Sequence, residues 1–557
     1  MNTLSPRSGG QVLVDALLGH GVDHIFAVPG ESYLPVLDAL HDVQEKIRLI
    51  ICRQEGGAAN MAEAYGKLTG RPGICFVTRG PGATNASIGV HTAFQDSTPM
   101  ILFIGQVGSD CVEREAFQEI DYRRMFGPMA KWVAQIDRAD RIPELVSQAF
   151  HRASSGRPGP VVLALPEDML EASVTVPDAP RYQRIEAHPG AGDLAALRAM
   201  LAAAHRPLVI LGGSGWTHQA TQSIQAFVEN NHLPVACAFR FQDLFDNRHP
   251  NYCGDVGIGI NPKLAQRIRE ADLLLVAGAR LGEMTTSGYT LLEVPRPKQR
   301  LIHIHSGAEE LGRVYSGELL INAAMPPLAE ALAALAPVDA SAWKASVAEA
   351  RADYEAHQAR VAVPGSLDMW AVMQTLSQTL PEDAILTNGA GNYATWLHRY
   401  YRYPGFRTQL APTSGAMGYG VPAAIAAKIA EPRRNVVCFA GDGCFLMNGQ
   451  ELATAMQYNA AVIFLVINNG MYGTIRMHQE RRYPGRVCGT ALSNPDFAAY
   501  ARAFGAFGET VSRSEEFAPA LGRALAAGRP ALLELQLDPQ AITPNTSLEA
   551  IRAAAQG

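Results

Sequence analysis

The chain has 557 residues, which is too long for a single hydrophobic core, so we expect three domains of ordinary size. Hydrophobic residues make up 48% of the sequence and charged residues 18%, and the net charge of −6 gives no indication of binding to nucleic acid or to a membrane surface. The N-terminus lacks the apolar core of a signal peptide, and the eight cysteines show no metal-ligand spacing. We therefore expect a cytoplasmic protein with reduced thiols.

Helix and strand patterns alternate through the first predicted domain, residues 1–182. The predicted helices are 11–20, 33–41 and 58–69, and the predicted strands are 24–28, 49–52, 73–78 and 100–105. A turn rich in glycine or polar residues follows each strand. This order is typical of an α/β domain with a parallel sheet whose polar turns meet at one edge.

Glu55 stands at the end of the second of these strands, just before Gly56, Gly57 and a helix of small residues. A carboxylate at the beginning of a helix ordinarily caps it or interacts with its dipole. Its position alone therefore favours a structural role.

The second predicted domain, residues 190–345, follows a linker with many Pro and Gly residues and has the pattern of a small Rossmann-like sheet. Its predicted strands are 208–211, 233–238, 272–277 and 300–305. The turn at 212–215 fits the dinucleotide-binding fingerprint poorly, because no acidic residue follows about 20 positions later. A nucleotide site and a purely structural domain both remain open for this part of the chain.

The third predicted domain, residues 365–540, contains a strand–helix–strand unit from 436 to 467 and is followed by a tail, 541–557. Asp442 follows the first of these strands and Asn469 follows the second. Parallel strands place such turns side by side at the carboxyl edge of the sheet. The two side chains offer the oxygen ligands that Mg²⁺ prefers, and the neighbouring glycines allow backbone N–H groups to approach an anion.

The spacing of 27 residues between Asp442 and Asn469 resembles the metal and diphosphate motif of thiamin diphosphate (ThDP) enzymes. The resemblance implies three Rossmann-like domains with parallel sheets. In chain order they are a pyrimidine-binding domain, a middle domain and a diphosphate-binding domain. It also implies that Mg²⁺ is held by Asp442, Asn469 and the carbonyl of Met471. The further ThDP contacts that it implies are Asn392, Gly415, Met417, Gly441, Gly443, Cys444, Tyr472 and Gly473, with Met417 as the apolar wedge that bends the cofactor.

In the same family a glutamate at the place of Glu55 activates the cofactor. That glutamate hydrogen-bonds the aminopyrimidine, whose amino group then removes the proton from thiazolium C2. A carboxylate can share a proton in this way when it is shielded from water, because desolvation raises its proton affinity. The resemblance thus implies a catalytic role for Glu55.

Four further motifs are similar to the large subunit of acetohydroxyacid (acetolactate) synthase. They are AFQEID at 116–121, AKW at 130–132, SGRPGPV at 155–161 and LPED at 165–168. In that family the glutamine of the first motif, here Gln118, reaches the reacting atoms. The region of Gly278 and Arg280 contacts FAD in the synthases, so the resemblance adds FAD as a candidate cofactor.

The chain departs from the synthase pattern where substrates are selected. Ser32 and Tyr33 replace small residues, Glu167 replaces a lysine, and His478 replaces a tryptophan. We expect Gln118, His478, Ser32 and Tyr33 to handle substrate and protons, because a few polar groups and the cavity shape decide between substrates. A packed or solvated role for His478 remains an equal alternative.

The function that the resemblance implies is ThDP- and Mg²⁺-dependent chemistry on a 2-oxo acid: attack by the C2 carbanion, loss of CO₂, and either addition of the enamine to a carbonyl acceptor or its protonation. Alternatives are a lyase of 2-hydroxy ketones or 2-hydroxyacyl-CoA, a flavin-dependent oxidoreductase of the pyruvate oxidase kind, and a non-catalytic relative. The family builds its active site between two chains, so a homodimer or homotetramer is implied.

Overall fold

The computed structural model describes residues 5–556, and it contains three parallel six-stranded sheets. The chain forms two compact units. The first contains the first sheet and runs to Ile185, with the short segments 425–430 and 453–458 added, and the second contains the other two sheets. No helix among residues 5–556 is long and apolar enough to cross a membrane.

The first sheet has the strand order β3-β2-β4-β5-β7-β6, and a short antiparallel pair, β1 with β8, lies apart from it. The strands are β1 Arg7–Ser8, β2 His24–Ala27, β3 Arg48–Ile51, β4 Gly73–Val77, β5 Met100–Gln106, β6 Trp132–Gln135, β7 Pro160–Pro166 and β8 Ser173–Val174. The helices are α1 Gly9–Gly19, α2 Leu34–His41, α3 Glu55–Thr69, α4 Gly80–Asp96, α5 Tyr122–Phe126, α6 Ile142–Ser154 and α7 Glu167–Glu171. Strands β4, β5 and β7 are buried over their whole length, as expected for the centre of a parallel sheet.

The second sheet has the order β11-β10-β9-β12-β13-β14. Its strands are β9 Pro207–Leu211, β10 Val235–Ala238, β11 Tyr252–Val256, β12 Leu273–Ala277, β13 Arg300–His305 and β14 Leu319–Asn322. Its helices are α8 Ala191–Ala202, α9 His218–Asn230, α10 Pro262–Glu270, α11 Met325–Ala333 and α12 Lys344–His357. The chain reverses its direction of winding between β9 and β12, which is where α/β sheets of this kind usually bind ligands.

The third sheet has the order β16-β15-β17-β18-β20-β19. Its strands are β15 Ile385–Asn388, β16 Gln409–Leu410, β17 Val436–Gly441, β18 Val462–Asn468, β19 Phe507–Val511 and β20 Ala531–Gln536. Its helices are α13 Met369–Thr379, α14 Ala394–Tyr400, α15 Gly420–Ala430, α16 Asp442–Phe445, α17 Leu452–Gln457, α18 Gly473–Arg482, α19 Phe497–Ala503, α20 Ser514–Ala526 and α21 Leu548–Gln556. Strands β17 and β18 are parallel, and Gly441 is the register partner of Ile467.

The three-domain α/β architecture with parallel sheets is confirmed, while several predicted elements needed correction at their ends. Helix α3 begins at Glu55 itself, because the Gln54 side chain caps it by accepting a hydrogen bond from the Gly57 N–H. The tail, for which the sequence predicted no element, contains helix α21.

Helix α21 is attached to α18 by a buried carboxylate. The Glu480 side chain has no exposed surface and accepts two hydrogen bonds from Arg552, at 2.8 and 2.7 Å, and one from Arg476 at 3.0 Å. The hydrogen bonds from Arg552 are the main reason that the pKa of Glu480 falls from 4.5 to about 2. The stabilisation is therefore complete above pH 4.5 and is lost as the pH falls towards 2.

Replacing Arg552 by alanine should loosen α21, because a buried carboxylate then loses its bidentate partner. We expect amide hydrogen exchange in α21 to accelerate by about tenfold to a hundredfold, the range for a hydrogen bond to a charged group. The control Arg138→Ala removes an exposed pair with Asp140 and should have little effect. Unchanged exchange in α21 of Arg552→Ala would contradict this account of how the helix is held.

Candidate functional site

A cavity of about 210 Å³ lies at the carboxyl ends of the neighbouring strands β15, β17 and β18. It is lined by every residue of the third domain that the sequence predicted to contact cofactor or metal: Asn392, Gly415, Met417, Gly441, Asp442, Gly443, Cys444, Asn469, Met471, Tyr472 and Gly473. The remaining lining is largely apolar and includes Trp396, Ile475, Leu537 and Ile542. Residues predicted from separate motifs thus meet in one place.

Asp442 is the charged group at the floor of this cavity, and only 3% of it is exposed. Its Oδ1 accepts a hydrogen bond from the Gly443 N–H at 2.8 Å, and its Oδ2 accepts from the Gly470 N–H at 3.0 Å and from Asn494 Nδ2 at 2.7 Å. Burial raises the pKa of Asp442, and these hydrogen bonds oppose that effect. No motif in the sequence indicates Asn494, which lies 52 residues further along the chain than Asp442.

The oxygen atoms around Asp442 fit a magnesium ion. Asn469 and Met471 line the same cavity, on the turn that follows β18. Among residues 5–556 no group of three or more His, Cys, Asp or Glu side chains could hold a metal. An ion beside Asp442 would therefore depend on amide and backbone oxygens and on oxygens of a bound ligand, which is the environment that Mg²⁺ accepts.

The other side of the cavity fits an anion. Helix α18, which has ten residues, begins at Gly473 on the cavity wall, so its N-terminal N–H groups and dipole favour negative charge there. Asn392 is attached to this helix end, because its N–H donates to the Thr474 hydroxyl at 2.9 Å and its Oδ1 accepts from that hydroxyl at 2.9 Å. A diphosphate fits between this helix end and the glycine turn at 441–443.

The turn that carries Gly415 and Met417 is fixed by side chains from the 442–448 segment. Gly418 adopts a φ of +81°, and its N–H donates to Cys444 Sγ at 3.1 Å while its carbonyl accepts from Asn448 Nδ2 at 2.9 Å. Met417 is partly buried and lines the cavity. The predicted wedge residue therefore borders the space where a ligand would lie.

Glu55 lies in the first unit, at the first position of α3, and is partly buried. Its Oε2 accepts a hydrogen bond from Asn85 Nδ2 at 2.9 Å. Asn85 belongs to α4 and was not singled out by the sequence, although it stands in the Gly-rich turn and helix after β4. The carboxylate thus has one oriented oxygen.

Ser32 and Tyr33 are both buried within the first unit. The Ser32 hydroxyl lies 2.9 Å from the Thr78 hydroxyl, and the Tyr33 hydroxyl donates to the carbonyl of Val28 at 2.7 Å. Only 1% of Tyr33 is exposed, and burial raises its pKa. These contacts support the turn after β2 and engage both hydroxyls.

Gln118 lies in a loop with an unusual backbone. Glu113, Glu115 and Gln118 all have positive φ, between 53° and 65°, a conformation that is costly for residues other than glycine and is concentrated at functional sites. The carbonyl of Gln118 accepts from the Gly80 N–H at 2.9 Å, and Arg79 Nη1 donates to the carbonyl of residue 117 at 3.3 Å. Glu167 forms an ion pair with Arg79 and so supports this loop.

His478 lies on α18 but is exposed and is not part of the cavity lining. Its neighbours Met477 and Glu480 are buried, because helical periodicity turns them to the opposite side. Within the second unit, the structure therefore does not bring His478 to the residues of the cavity.

Gly278 follows β12, where a dinucleotide would approach the middle sheet. A Cβ atom at Gly278 would lie 2.4 Å from the Gly212 carbonyl oxygen and 2.8 Å from Met325 Sδ, so the turns after β9 and β12 are already in contact. Trp216, of which 4% is exposed, donates to the same Gly212 carbonyl at 2.9 Å. The usual crevice is therefore filled by side chains.

Arg280 lines a separate cavity of only about 110 Å³. It forms an ion pair with the buried Glu310 at 3.2 Å, and Arg313 does so at 2.9 Å. Cavities for drug-sized ligands are usually about 300–1,000 Å³, and FAD is larger than such ligands. The cavity at Arg280 is therefore too small by itself to enclose FAD.

Comparisons with known proteins agree with this geometry. The chain matches three family models of thiamine pyrophosphate enzymes: the N-terminal TPP binding domain over residues 7–125, the central domain over 194–335 and the C-terminal TPP binding domain over 389–535. It is 30% identical to the acetolactate synthase isozyme 2 large subunit of Escherichia coli K12, over 95% of this chain and 96% of that protein. It is 32% identical to the acetolactate synthase large subunit of Parasynechococcus marenigrum, over 95% and 87%.

The close packing of Trp216 and Met325 at Gly278 predicts that the protein binds no flavin. The purified protein should show no flavin absorption in the visible spectrum and should gain none after incubation with FAD and gel filtration, because Trp216 and Met325 occupy the crevice. Trp216→Gly tests whether the side chain is the obstacle, and Trp343→Phe, a change at another buried tryptophan of the middle core, is the control. Stoichiometric flavin in the unmodified protein would show that this interpretation is wrong.

Proposed function

The chain belongs to the family of thiamine pyrophosphate (ThDP) enzymes, and from that premise we propose that it is a ThDP- and Mg²⁺-dependent carboligase or decarboxylase that acts on a 2-oxo acid. One observation carries the proposal: Asp442, Asn469 and Met471 line a single cavity with the beginning of α18. The likeness to acetolactate synthases over nearly the whole chain supports the 2-oxo acid as the class of substrate.

The diphosphate end of the cofactor is held by the third domain. Asp442, Asn469 and the carbonyl of Met471 hold Mg²⁺, and the N–H groups at the beginning of α18 neutralise the diphosphate. Gly415 and Met417 border the same cavity and hold the rings of the cofactor. When bound, ThDP supplies a carbon nucleophile and an electron sink for breaking the bond next to the carbonyl of the substrate.

Glu55 is the residue that exchanges a proton with the cofactor. Its Oε2 is engaged by Asn85, which leaves Oε1 to hold the proton at the aminopyrimidine. The Asn85 amide orients the carboxylate and, as a neutral donor, does not compete for the proton. Glu55 comes from the first domain of one chain and the diphosphate site from the third domain of another, so the active enzyme is a homodimer or a homotetramer.

The substrate is selected mainly by the apolar wall of the cavity and by the loop that carries Gln118. Tyr33 and Ser32 support the fold behind this region, since both hydroxyls are already hydrogen-bonded. His478 acts on substrate only if oligomer formation brings it to a site, because it is exposed on the single chain. The enzyme works in the cytoplasm, where its eight cysteines, six of them buried, stay reduced.

Three alternatives have less support. A lyase of 2-hydroxy ketones or 2-hydroxyacyl-CoA would use the same cofactor site and differs only in its substrate. A flavin-dependent oxidoreductase of the pyruvate oxidase kind would need FAD, for which Met325 and Trp216 leave little room at Gly278. A non-catalytic role would make the retention of Glu55, Asp442 and Asn469 unnecessary.

The direct test is incubation of the purified protein with ThDP, Mg²⁺ and pyruvate, followed by analysis of CO₂ and products. Acetolactate identifies a carboligase, and acetaldehyde with CO₂ identifies a decarboxylase. Larger 2-oxo acids should be assayed in parallel, since the cavity wall is mostly apolar. Absence of turnover with all 2-oxo acids, together with cleavage of a hydroxy ketone or a hydroxyacyl-CoA, would replace this proposal by the lyase.

Glu55→Gln should bind ThDP with nearly unchanged affinity and lose most turnover. Glutamine keeps the shape and the hydrogen bond to Asn85 but cannot hold a proton for the aminopyrimidine. The loss in kcat should be at least a hundredfold, the usual scale for general acid–base catalysis. Glu31→Gln, on the same sheet edge, is the matched control, and full activity of Glu55→Gln would refute the assignment.

Asp442→Ala should weaken ThDP binding because the variant lacks the charged ligand for Mg²⁺. We expect at least a tenfold increase in the Mg²⁺ concentration needed for half-saturation with ThDP, measured by calorimetry on protein stripped with a chelator. An unchanged dependence on Mg²⁺ would remove Asp442 from the metal site.

A further inference from the structure

A segment that the sequence did not single out, residues 490–494, lies directly against the turn proposed to bind Mg²⁺. The Leu492 N–H donates to the Gly470 carbonyl at 2.8 Å, and the Tyr472 N–H donates to the Thr490 carbonyl at 2.9 Å. The main chain of this segment therefore already fixes the main chain of the turn. The side chain of Asn494 reaches further, to the carboxylate of Asp442.

The side-chain nitrogen of Asn494 is the donor in two hydrogen bonds. Its Nδ2 donates to Asp442 Oδ2 at 2.7 Å and to Asn468 Oδ1 at 2.9 Å. The oxygen of Asn494 could not replace this nitrogen, because it would then face a carboxylate and a carbonyl oxygen. Only an amide in this orientation satisfies both neighbours.

The orientation of Asn468 is itself imposed by a third residue. Asn468 Nδ2 donates to Glu534 Oε1 at 2.7 Å, and Glu534 is a buried residue of β20 with 4% exposure. A carboxylate accepts and cannot donate, so it forces Asn468 to present its oxygen to Asn494. Glu534, Asn468 and Asn494 thus form a chain of hydrogen bonds, here called the relay, that ends at Asp442. In the relay Asn494 donates to Asn468 and to Asp442, and Asn468 donates to Glu534.

We propose that Asn494 is a positioning residue for the metal ligand Asp442, and that Glu534 orients it through Asn468. The relay, through Asn494, and the Gly470 N–H hold Asp442 Oδ2 in place with one donor each, and they direct the less occupied Oδ1 towards the ion. This inference rests on the proposed ThDP and Mg²⁺ site. It adds three residues, Asn468, Asn494 and Glu534, that do not line the cavity.

A merely structural role of Asn494 would predict a different result from a positioning role. The backbone hydrogen bonds of Thr490 and Leu492 hold the turn without the Asn494 side chain. Loss of the side chain should therefore leave the fold intact and release only the carboxylate of Asp442. The affinity for Mg²⁺ should change, whereas the melting temperature of the cofactor-free protein should not.

The experiment titrates Mg²⁺ into protein stripped with a chelator, at fixed ThDP, and follows cofactor binding by calorimetry. In Asn494→Ala the Mg²⁺ concentration at half-saturation should rise about tenfold, which corresponds to the loss of one hydrogen bond to a charged group. At saturating Mg²⁺ and ThDP the kcat should return to within about twofold of the unmodified enzyme. Ser493→Ala, an exposed neighbour in the same segment, should behave like the unmodified enzyme.

Glu534→Gln tests the relay at a distance from the cavity. Glutamine keeps the shape of the side chain but can present its N–H₂ group to Asn468. The Asn468 and Asn494 amides can then rotate by 180°, and Asn494 no longer donates to Asp442. We expect the Mg²⁺ requirement to increase in this variant too, and to increase no further in the double variant with Asn494→Ala.

The outcomes separate the two proposals. If the unmodified protein binds ThDP without dependence on Mg²⁺, or does not bind it, the proposed function is wrong. If the unmodified protein shows the dependence and a folded Asn494→Ala shows the same half-saturation, the positioning role is wrong. If both Asn494→Ala and Glu534→Gln lose thermal stability in proportion to their loss of Mg²⁺ affinity, the residues are structural and the inference is overturned.

Discussion

The constraint on which the third domain depends is the burial of one carboxylate at the end of a strand. Asp442 has almost no contact with solvent, so its oxygens need partners within the protein or in a bound ligand. The register of β17 and β18 supplies donors, because it places the turn at 468–470 beside Asp442. The cavity in front of the carboxylate is where the proposed Mg²⁺ would lie.

The same arrangement explains why the cavity is built from turns and not from long polar side chains. Glycine-containing turns after β15, β17 and β18 bring backbone N–H groups close together, and α18 adds its N-terminus from the same edge. Backbone donors are positioned by the sheet and need little further ordering when an anion binds. The remaining wall is apolar, and its residue Ile542 packs with Leu548 and Ile551 of α21. The Glu480–Arg552 pair, which holds α21, therefore also supports one wall of the cavity.

The first domain presents a carboxylate of a different kind. Glu55 has a single hydrogen bond, from a neutral amide, whereas Asp442 accepts three. In the proposed function, Glu55 exchanges a proton with the cofactor and Asp442 binds the metal. In the middle domain, Arg280 and Arg313 are paired with Glu310, and Trp216 packs against the turn at Gly212.

The sequence by itself determined the α/β architecture, because apolar runs and glycine turns are local signals and a parallel sheet collects those turns at one edge. The resemblance to ThDP enzymes also named the group from Asn392 to Gly473, and these residues line one cavity. Only the tertiary structure decided the partners of these residues: Asn494 at Asp442, Asn85 at Glu55, and the core contacts that occupy Ser32 and Tyr33. Those contacts join residues far apart in the chain, and their donors and acceptors are fixed by strand register and side-chain direction. Local periodicity contains no information about strand register or about the direction of a side chain in the folded chain. For the same reason, the sequence could not decide whether His478 is exposed.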